Sequence, residues 1–394
     1  MCPIPSNGTR LSKLGIGSVD CVLVLIRALA LMCDPTARWA PTEDYVDGLA
    51  QQAKPFVEAA SSFRSQVWTK RMVLPRLDEQ ADGSVAKMSG LVQDKLSGSG
   101  LSYIALPLGH FDLDRASTEL ADSLCETEMA FFSLKLTGLG EPLDEGRARS
   151  AARLLKRIAE SGGPLSCARF AFSCGDQLGT PYFPDTASVR KGLTLSLRYV
   201  RETQDILNSE GGNREERLTS MLRGVEGEAL SASKRSSLEY LGMDCSLSPW
   251  MEESAAGLIE FMLGAEFGEP GTHQAVFTLN RLISKASTKL RTLGFNEVML
   301  PVAEDSKLKE LALNGRITLS TLISLISVCV AGLDMVVLPL STDISRLGSI
   351  LQDVSSIASS KNRPVGIRLV LADGEPGDEV EMGSFGKVPI MGAR

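Results

Sequence analysis

MVVLPLSTDISRLGSILQDVSSIASSKNRPVGIRLVL, residues 335–371, is a strand, a helix and a second strand in succession. Met335–Leu338 is a short apolar run that stops at Pro339, whose ring fixes φ and removes a ladder donor. Ser345–Ser359 has helical spacing. Val365–Leu371 is another apolar run, with Pro364 at its mouth. Strands that alternate with helices in this way indicate an α/β fold.

The same rhythm extends backwards through the 394 residues. Val22–Met32, Val67–Leu74, Leu101–Leu106, Met129–Leu134 and Ala168–Ser173 read as buried strands. Each ends near a proline, a glycine or a polar turn. Between them, Thr42–Phe63, Asp82–Ser99, Asp114–Cys125 and Ala151–Ser161 carry helical spacing, with Thr42 and Asp82 as N-caps. Gly242–Pro249 is strand then loop, Glu253–Glu266 and Thr272–Leu293 are helices, and Glu297–Pro301 is a strand. Lys307–Leu313 and Thr318–Ser327 are helices. The expectation is an α/β architecture with a largely parallel sheet or barrel, as one domain over residues 21–394. Residues 1–20, rich in Gly, Ser and Pro, read as a loose tail. Residues 201–239 carry a run of mixed charges and read as a solvated helical excursion.

Composition narrows the function. Apolar residues make up 43% and charged residues 23%, as in an ordinary globular protein. The net charge of −7 lacks the basic footprint of a nucleic-acid binder. Only two histidines occur, His110 and His273, which excludes a His-rich metal cage. The eight cysteines are scattered without a C-x-x-C pair, so they read as reduced thiols in a cytoplasmic protein. Val22–Met32 is too short to span a bilayer and contains Arg27. Ile317–Leu333 is broken by Gly332 and dotted with Ser and Thr, so no membrane segment is expected. No Walker, dinucleotide-binding, H-E-x-x-H or G-x-S-x-G motif is present. The cofactor is therefore unknown, with a divalent metal left open.

Five segments lie where strands give way to loops, the usual place for ligands in α/β folds. Arg169 begins a strand that feeds the stiff Gly179–Pro184 loop, and with Tyr182 it suits an anionic ligand; a structural corner is the plainer alternative. Asp244 and Ser246 bunch after a strand, where they either orient a ligand or cap the local turn. Glu304 and Asp305 are adjacent carboxylates. One suits a base or a metal ligand while the other caps the following helix; the plainer reading has both favoured by the helix dipole. Cys329 ends an apolar helix five residues before Asp334, which suits a nucleophile and its acid, or else simple packing. Arg368, inside an apolar strand, needs an anionic partner, either a ligand or a structural carboxylate.

Taken together, these segments resemble the domain of unknown function 711 family, also called uncharacterised protein family 0210. The resemblance rests on Pro301-Val-Ala-Glu-Asp305, Val328-Cys329, Gly332-Leu-Asp334, Leu351-Gln-Asp-Val354, Arg363-Pro364 and Arg368-Leu369. Gly179–Pro184, Gly242–Pro249, Phe267-Gly268, Ile26-Arg27 and Val67–Arg71 add to it. It implies a single ten-stranded α/β barrel with an interior cavity, similar to the pyruvate formate-lyase-like glycyl radical enzymes. It does not imply their reaction, because Gly383-Ser-Phe-Gly386 lacks the glycyl radical pattern. Cys329 is the residue it sets beside the barrel-loop cysteine of those enzymes. The chain departs from the family pattern at Val330, Ala331, Leu340, Ser341 and Leu371.

The expected function is an enzyme acting on a small anionic metabolite inside the barrel, without radical chemistry. Arg169, Tyr182, Asp244, Ser246 and Arg368 are its expected ligand-binding residues, and Cys329, Asp334, Glu304 and Asp305 its catalytic ones. A degenerate, non-catalytic metabolite-binding or regulatory protein is the alternative. No nucleic-acid or membrane partner is expected, and the resemblance allows a homo-oligomer.

Overall fold

The computed structural model of the protein describes residues 24–78, 84–329 and 332–393. The expected tail over residues 1–20, the Asp82 cap and the departures at Val330 and Ala331 lie outside the described residues.

The first half repeats strand and helix. Strands β1 (Leu25–Met32), β2 (Val67–Val73), β3 (Tyr103–Leu108), β4 (Ala130–Thr137) and β5 (Phe170–Cys174) alternate with helices α1 (Glu43–Ala60), α2 (Ser84–Leu96), α3 (Leu113–Glu126) and α4 (Glu145–Ala168). Each strand pairs in parallel with the next. Helix α1 starts where its sequence predicts: the Thr42 side chain accepts from the Tyr45 amide, and Glu43 and Asp44 fill the first turn.

The sheet then turns over. β6 (Gly192–Arg198) runs antiparallel to β1, and β7 (Tyr240–Asp244) runs parallel to β6. β8 (Leu333–Pro339) and β9 (Val365–Ala372) are parallel to each other, and β9 lies antiparallel to β5. The nine strands thus form one mixed sheet, in the order β7-β6-β1-β2-β3-β4-β5-β9-β8. Six of its eight strand pairings are parallel, as expected of a largely parallel sheet, and the two antiparallel ones, β6 with β1 and β5 with β9, divide it into three parallel blocks.

The two faces of the sheet differ. Along each strand, alternate side chains point to opposite faces. Leu29, Leu31, Met72, Ile104, Leu106, Phe132, Leu134, Phe170 and Phe172 face the main core, which they share with the helices. The opposite face carries Ala30, Met32, Val73 and Ala105, which pack on Phe183 and Leu241. Phe183 comes from a loop, so this inner face is covered by irregular chain.

Three sequence expectations need correction. Glu297–Pro301 is not a regular strand: within it Val298 alone forms a bridge, an isolated parallel one to Leu247. Residues 201–239 are no solvated excursion. They form α5 (Val200–Asn208) and α6 (Arg214–Ser236), which link β6 to β7. In α6, Leu218, Leu222, Val225, Ala229 and Ala232 recur at helical spacing and are buried. Burying Leu218, Leu222 and Val225 contributes about 1.5–3 kcal/mol each, which outweighs the charged outer face. Finally, β3 runs to Leu108, two residues past its expected end at Leu106, with Pro107 inside it.

The connection from β7 to β8 contains α7 (Ala255–Leu263), α8 (Thr272–Ser287), α9 (Ser306–Leu313) and α10 (Leu319–Leu325). Helix α11 (Ile344–Lys361) links β8 to β9, and a hairpin of β10 (Glu379–Glu381) and β11 (Lys387–Pro389) follows. No helix of the described residues is long and apolar enough to cross a membrane.

Candidate functional site

Phe183 and its neighbours fill the inner face toward the carboxyl ends of β1 and β2. Over the amino-terminal halves of the strands the same face stays open, as a cleft of about 160 Å³. Arg27 of β1, Thr69 and Arg71 of β2, Tyr103 of β3 and Phe131 of β4 line one side. Asp334 of β8 and Gly366 and Arg368 of β9 line the other, with Glu304 and the loop residues Tyr182 and Asp185. The cleft therefore lies along the sheet face and not at the carboxyl ends of the strands. The reason is that the loop carrying Phe183 occupies that end of the inner face.

Two bulges aim charged side chains into the cleft. The β1–β6 register slips between Ile26 and Ala28, which leaves Arg27 outside the ladder. The β8–β9 register slips between Asp334 and Val336, and the skipped Met335 takes a left-handed φ of 52° while fully buried. Bulges re-aim side chains beside sites, and a bulky residue at positive φ carries strain that its surroundings must hold.

Arg27, and Asp334 beside the second bulge, join one ion network. The Arg27 guanidinium donates to Glu304, and also to Ser248 Oγ and the Pro249 carbonyl, both at 2.7 Å. Arg368 donates from Nε to Asp334 Oδ1 at 2.6 Å and from Nη2 to Asp334 Oδ2 and Glu304 Oε1, each at 3.0 Å. Burial works to raise the Glu304 carboxyl, but Arg27 and Arg368 outweigh it and hold it below the usual range. Burial lifts the Asp334 carboxyl against the pull of Arg368. Arg27 also lies over the rings of Trp68, Tyr182 and Trp250, each within 5.8 Å.

Two charged groups stand outside that network. Arg71 is buried, and among the described residues it donates only to Thr69 Oγ1 and the Pro181 carbonyl, each at 2.9 Å. Its guanidinium sits 5.0 Å over the Phe183 ring and 5.7 Å over Tyr103. Among the described residues no carboxylate lies within ion-pair distance of it. Burial, and then repulsion from Arg27, push it down to about 10, so it stays cationic at neutral pH. Asp185 accepts from the Ser173 hydroxyl. Burial pushes its carboxyl up to about 7, against that hydrogen bond and with help from the charge of Asp334.

The sequence-predicted residues separate into groups. Glu304, Asp334, Arg368 and Tyr182 come together at the cleft. The Tyr182 hydroxyl is bound to the Leu197 and Ser246 carbonyls at 3.2 and 3.3 Å. Asp305 is the cap of the adjacent pair: it accepts from the Lys307 and Leu308 amides and from Ser254 Oγ. Asp244 and Ser246 hold loops together away from the cleft. Asp244 accepts from Thr180 Oγ1, from Ser246, and from the Phe295 and Asn296 amides. Arg169, at the start of β5, donates to the Leu124 and Thr127 carbonyls and does not reach the cleft. Cys329 faces a separate small apolar void, where its thiol donates to the Val298 carbonyl at 2.8 Å. Leu340 and Ser341 do not line the cleft either.

Sequence reasoning missed Arg27, Arg71, Ser173 and Asp185. A strand arginine among apolar neighbours, the signal that singled out Arg368, is present at Arg27 and Arg71 too. Among the described residues no three His, Cys, Asp or Glu side chains converge as a metal site.

Comparison with known proteins gives a family model described as "Uncharacterised ACR (DUF711)", which matches residues 102–383. The UPF0210 protein of Methanopyrus kandleri is 34% identical over 165 residues, 40% of this chain and 36% of that protein. The UPF0210 protein of Halothermothrix orenii is 31% identical over 169 residues, 41% of this chain and 37% of that protein. In these two alignments the chain spans little more than a third of the relative's length. The UPF0210 protein of Pyrobaculum arsenaticum is 25% identical over 415 residues, 93% of this chain and 90% of that protein.

Proposed function

The chain belongs to the DUF711 family, and from that premise and the geometry of the cleft we propose that it is an enzyme acting on a small carboxylate. The observation that carries this reading is Arg71. A buried guanidinium is expensive unless an anion meets it, and Arg71 has two neutral acceptors and no carboxylate. A carboxylate in the cleft would complete it through a charge-assisted pair. The aromatic rings beside it lower the local polarity and strengthen that pair. The Arg27–Glu304–Arg368–Asp334 network then serves as a rigid, charged floor. The reaction proceeds without a glycyl radical, because Gly383-Ser-Phe-Gly386 does not carry that pattern.

The barrel reading of residues 21–394 as one domain has specific support. The irregular segment 291–306 bonds in parallel to 243–251: the Leu293 amide donates to the Met243 carbonyl and the Met299 amide to the Leu247 carbonyl. On its other side, Glu304 bonds Arg368 of β9. A tenth strand that closes the barrel would run there, between the two edges β7 and β8.

A thermal-shift screen of the full chain against small carboxylates, phosphate and amino acids tests the assignment. A ligand at 100 times its dissociation constant adds about 2.7 kcal/mol. At least one carboxylate is expected to raise the melting temperature of the wild type and not of Arg71→Met, which keeps the apolar stem. Equal shifts in both proteins, or none from any small anion, reject the reading. Binding without turnover supports the non-catalytic alternative.

A further inference from the structure

Most of the buried or half-buried carboxylates near the inner face have an evident structural task. Glu304 and Asp334 are ion-paired, Asp305 caps a helix, and Asp244 pins three loop segments. Asp185 has none of these. It follows Tyr182-Phe183-Pro184 on the loop that covers the inner face, and its carboxyl lies in the cleft wall against β5 and β9. One oxygen accepts from Ser173 Oγ. The other lies over Gly366, where a Cβ would stand 2.8 Å from it. Among the described residues no Lys, Arg or His is within ion-pair distance. A carboxyl so placed is held by one neutral hydrogen bond, beside bare backbone that makes room for it.

We propose that Asp185 is the proton-transfer residue of the cleft, positioned by Ser173, and that its substrate is a small oxo acid whose carbonyl activates a C–H bond. The inference rests on Arg71 as the anchor for the acid's carboxylate. The Asp185 carboxylate takes the proton from the carbon. The C–H electron pair becomes the C=C bond of an enolate, with the charge on the carbonyl oxygen. The reverse step returns the proton, so no oxidant or reductant is consumed. Arg368 and Arg27 are already neutralised by Asp334 and Glu304, and Arg71 by the substrate's carboxylate; the enolate's added charge replaces the one that Asp185 loses on protonation, so the net charge of the cleft is unchanged by the transfer. The Tyr103, Phe131 and Phe183 rings, with centroids 4.9 and 5.8 Å apart in succession, give a planar enolate apolar walls.

The charged groups facing Asp185 come from every side of the cleft: Asp334 from β8, Arg368 from β9, Glu304, Arg27 from β1 and Arg71 from β2. Burial and the Asp334 charge bring Asp185 close to neutrality in pH, at about 7, where one group can both accept and return a proton.

The test is solvent exchange followed by proton NMR in D2O, with the full chain and pyruvate, acetoacetate and levulinate as probes. These place the carbonyl one, two and three carbons from the carboxylate end. The wild type is expected to speed loss of the C–H signal of at least one probe by about 100-fold over buffer. Asp185→Asn should fall to the buffer rate while retaining the Arg71-dependent thermal shift. Ser173→Ala should move the midpoint of the pH–rate profile upward, since the hydroxyl favours the carboxylate. Exchange by Asp185→Asn at the wild-type rate overturns the inference. So does Arg71-dependent binding with no exchange of any probe, which leaves the proposed function standing. Absence of Arg71-dependent binding by any small carboxylate overturns both.

Discussion

Replacing Glu304 by alanine is expected to destabilise the protein by about 3–5 kcal/mol, the usual cost of removing one partner from a buried ion network. Glu304 is only 4% exposed and accepts from Arg27 on one oxygen and Arg368 on the other. Its loss leaves the two arginines unequally provided for. Arg368 keeps both oxygens of Asp334, whereas Arg27 keeps only Ser248 Oγ and the Pro249 carbonyl. A buried guanidinium with neutral acceptors alone repels its neighbours Arg71 and Arg368. Denaturant unfolding followed by tryptophan fluorescence reads this directly, because the Trp68 and Trp250 rings flank Arg27 and pack at 4.7 Å from each other. A change below about 1 kcal/mol, the range of exposed pairs, would mean that water screens the network and that it is not the floor of the cleft.

Asp185→Asn is expected to act the other way. The Asp185 carboxyl titrates at about 7 in the folded protein, above its ordinary 3.8. The folded state therefore holds that proton more tightly than the unfolded state. The wild type loses stability as pH rises from about 4 to about 7, and the loss is complete above that window. Asparagine removes the charge and can still accept from Ser173. The variant should match the wild type at pH 4 and exceed it by about 2–4 kcal/mol at pH 8. The lower part of that range reflects the cleft's access to water. Parallel melting curves at the two pH values check it. A variant that is less stable than wild type at pH 8 would show that the carboxylate is welcome where it sits. A cost in stability offset by function is the pattern of a working site.

The fold was legible wherever periodicity was strong. The helices from Glu43 and from Ile344 and the strands from Val67 and Val365 stand close to their sequence readings, because each buries one continuous apolar face. β6 was missed although Leu193, Leu195 and Leu197 alternate with Thr194 and Ser196. It is short and sits between a Pro-rich loop and a charged helix, and its antiparallel pairing to β1 leaves no local mark. α6 was misread because its surface charges outnumber the stripe that it buries.

The site was half legible for a related reason. Glu304, Asp334 and Arg368 were found because ionisable residues in apolar strands or at strand ends need partners. Arg27 and Arg71 satisfy the same rule, but they lie in the middle of strands and not at a strand end or loop, where the candidates were sought. The bulges at Arg27 and Met335 are decided by pairing between distant strands, so no local spacing announces them. Asp185 owes its role to Ser173 and Gly366, 12 residues before it and 181 after it. Arg169 and Cys329 were singled out by position in the chain, and the fold turns them toward a carbonyl pair and an apolar void.

The central claim is that Arg71 holds the carboxylate of a ligand in the cleft. Isothermal titration tests it most directly, using the carboxylate that stabilises the wild type best and comparing wild type with Arg71→Met. A charge-assisted bidentate pair is worth about 1.5–3 kcal/mol, so affinity is expected to fall at least tenfold in the variant. Equal affinity in the two proteins would contradict the account and place the ligand elsewhere.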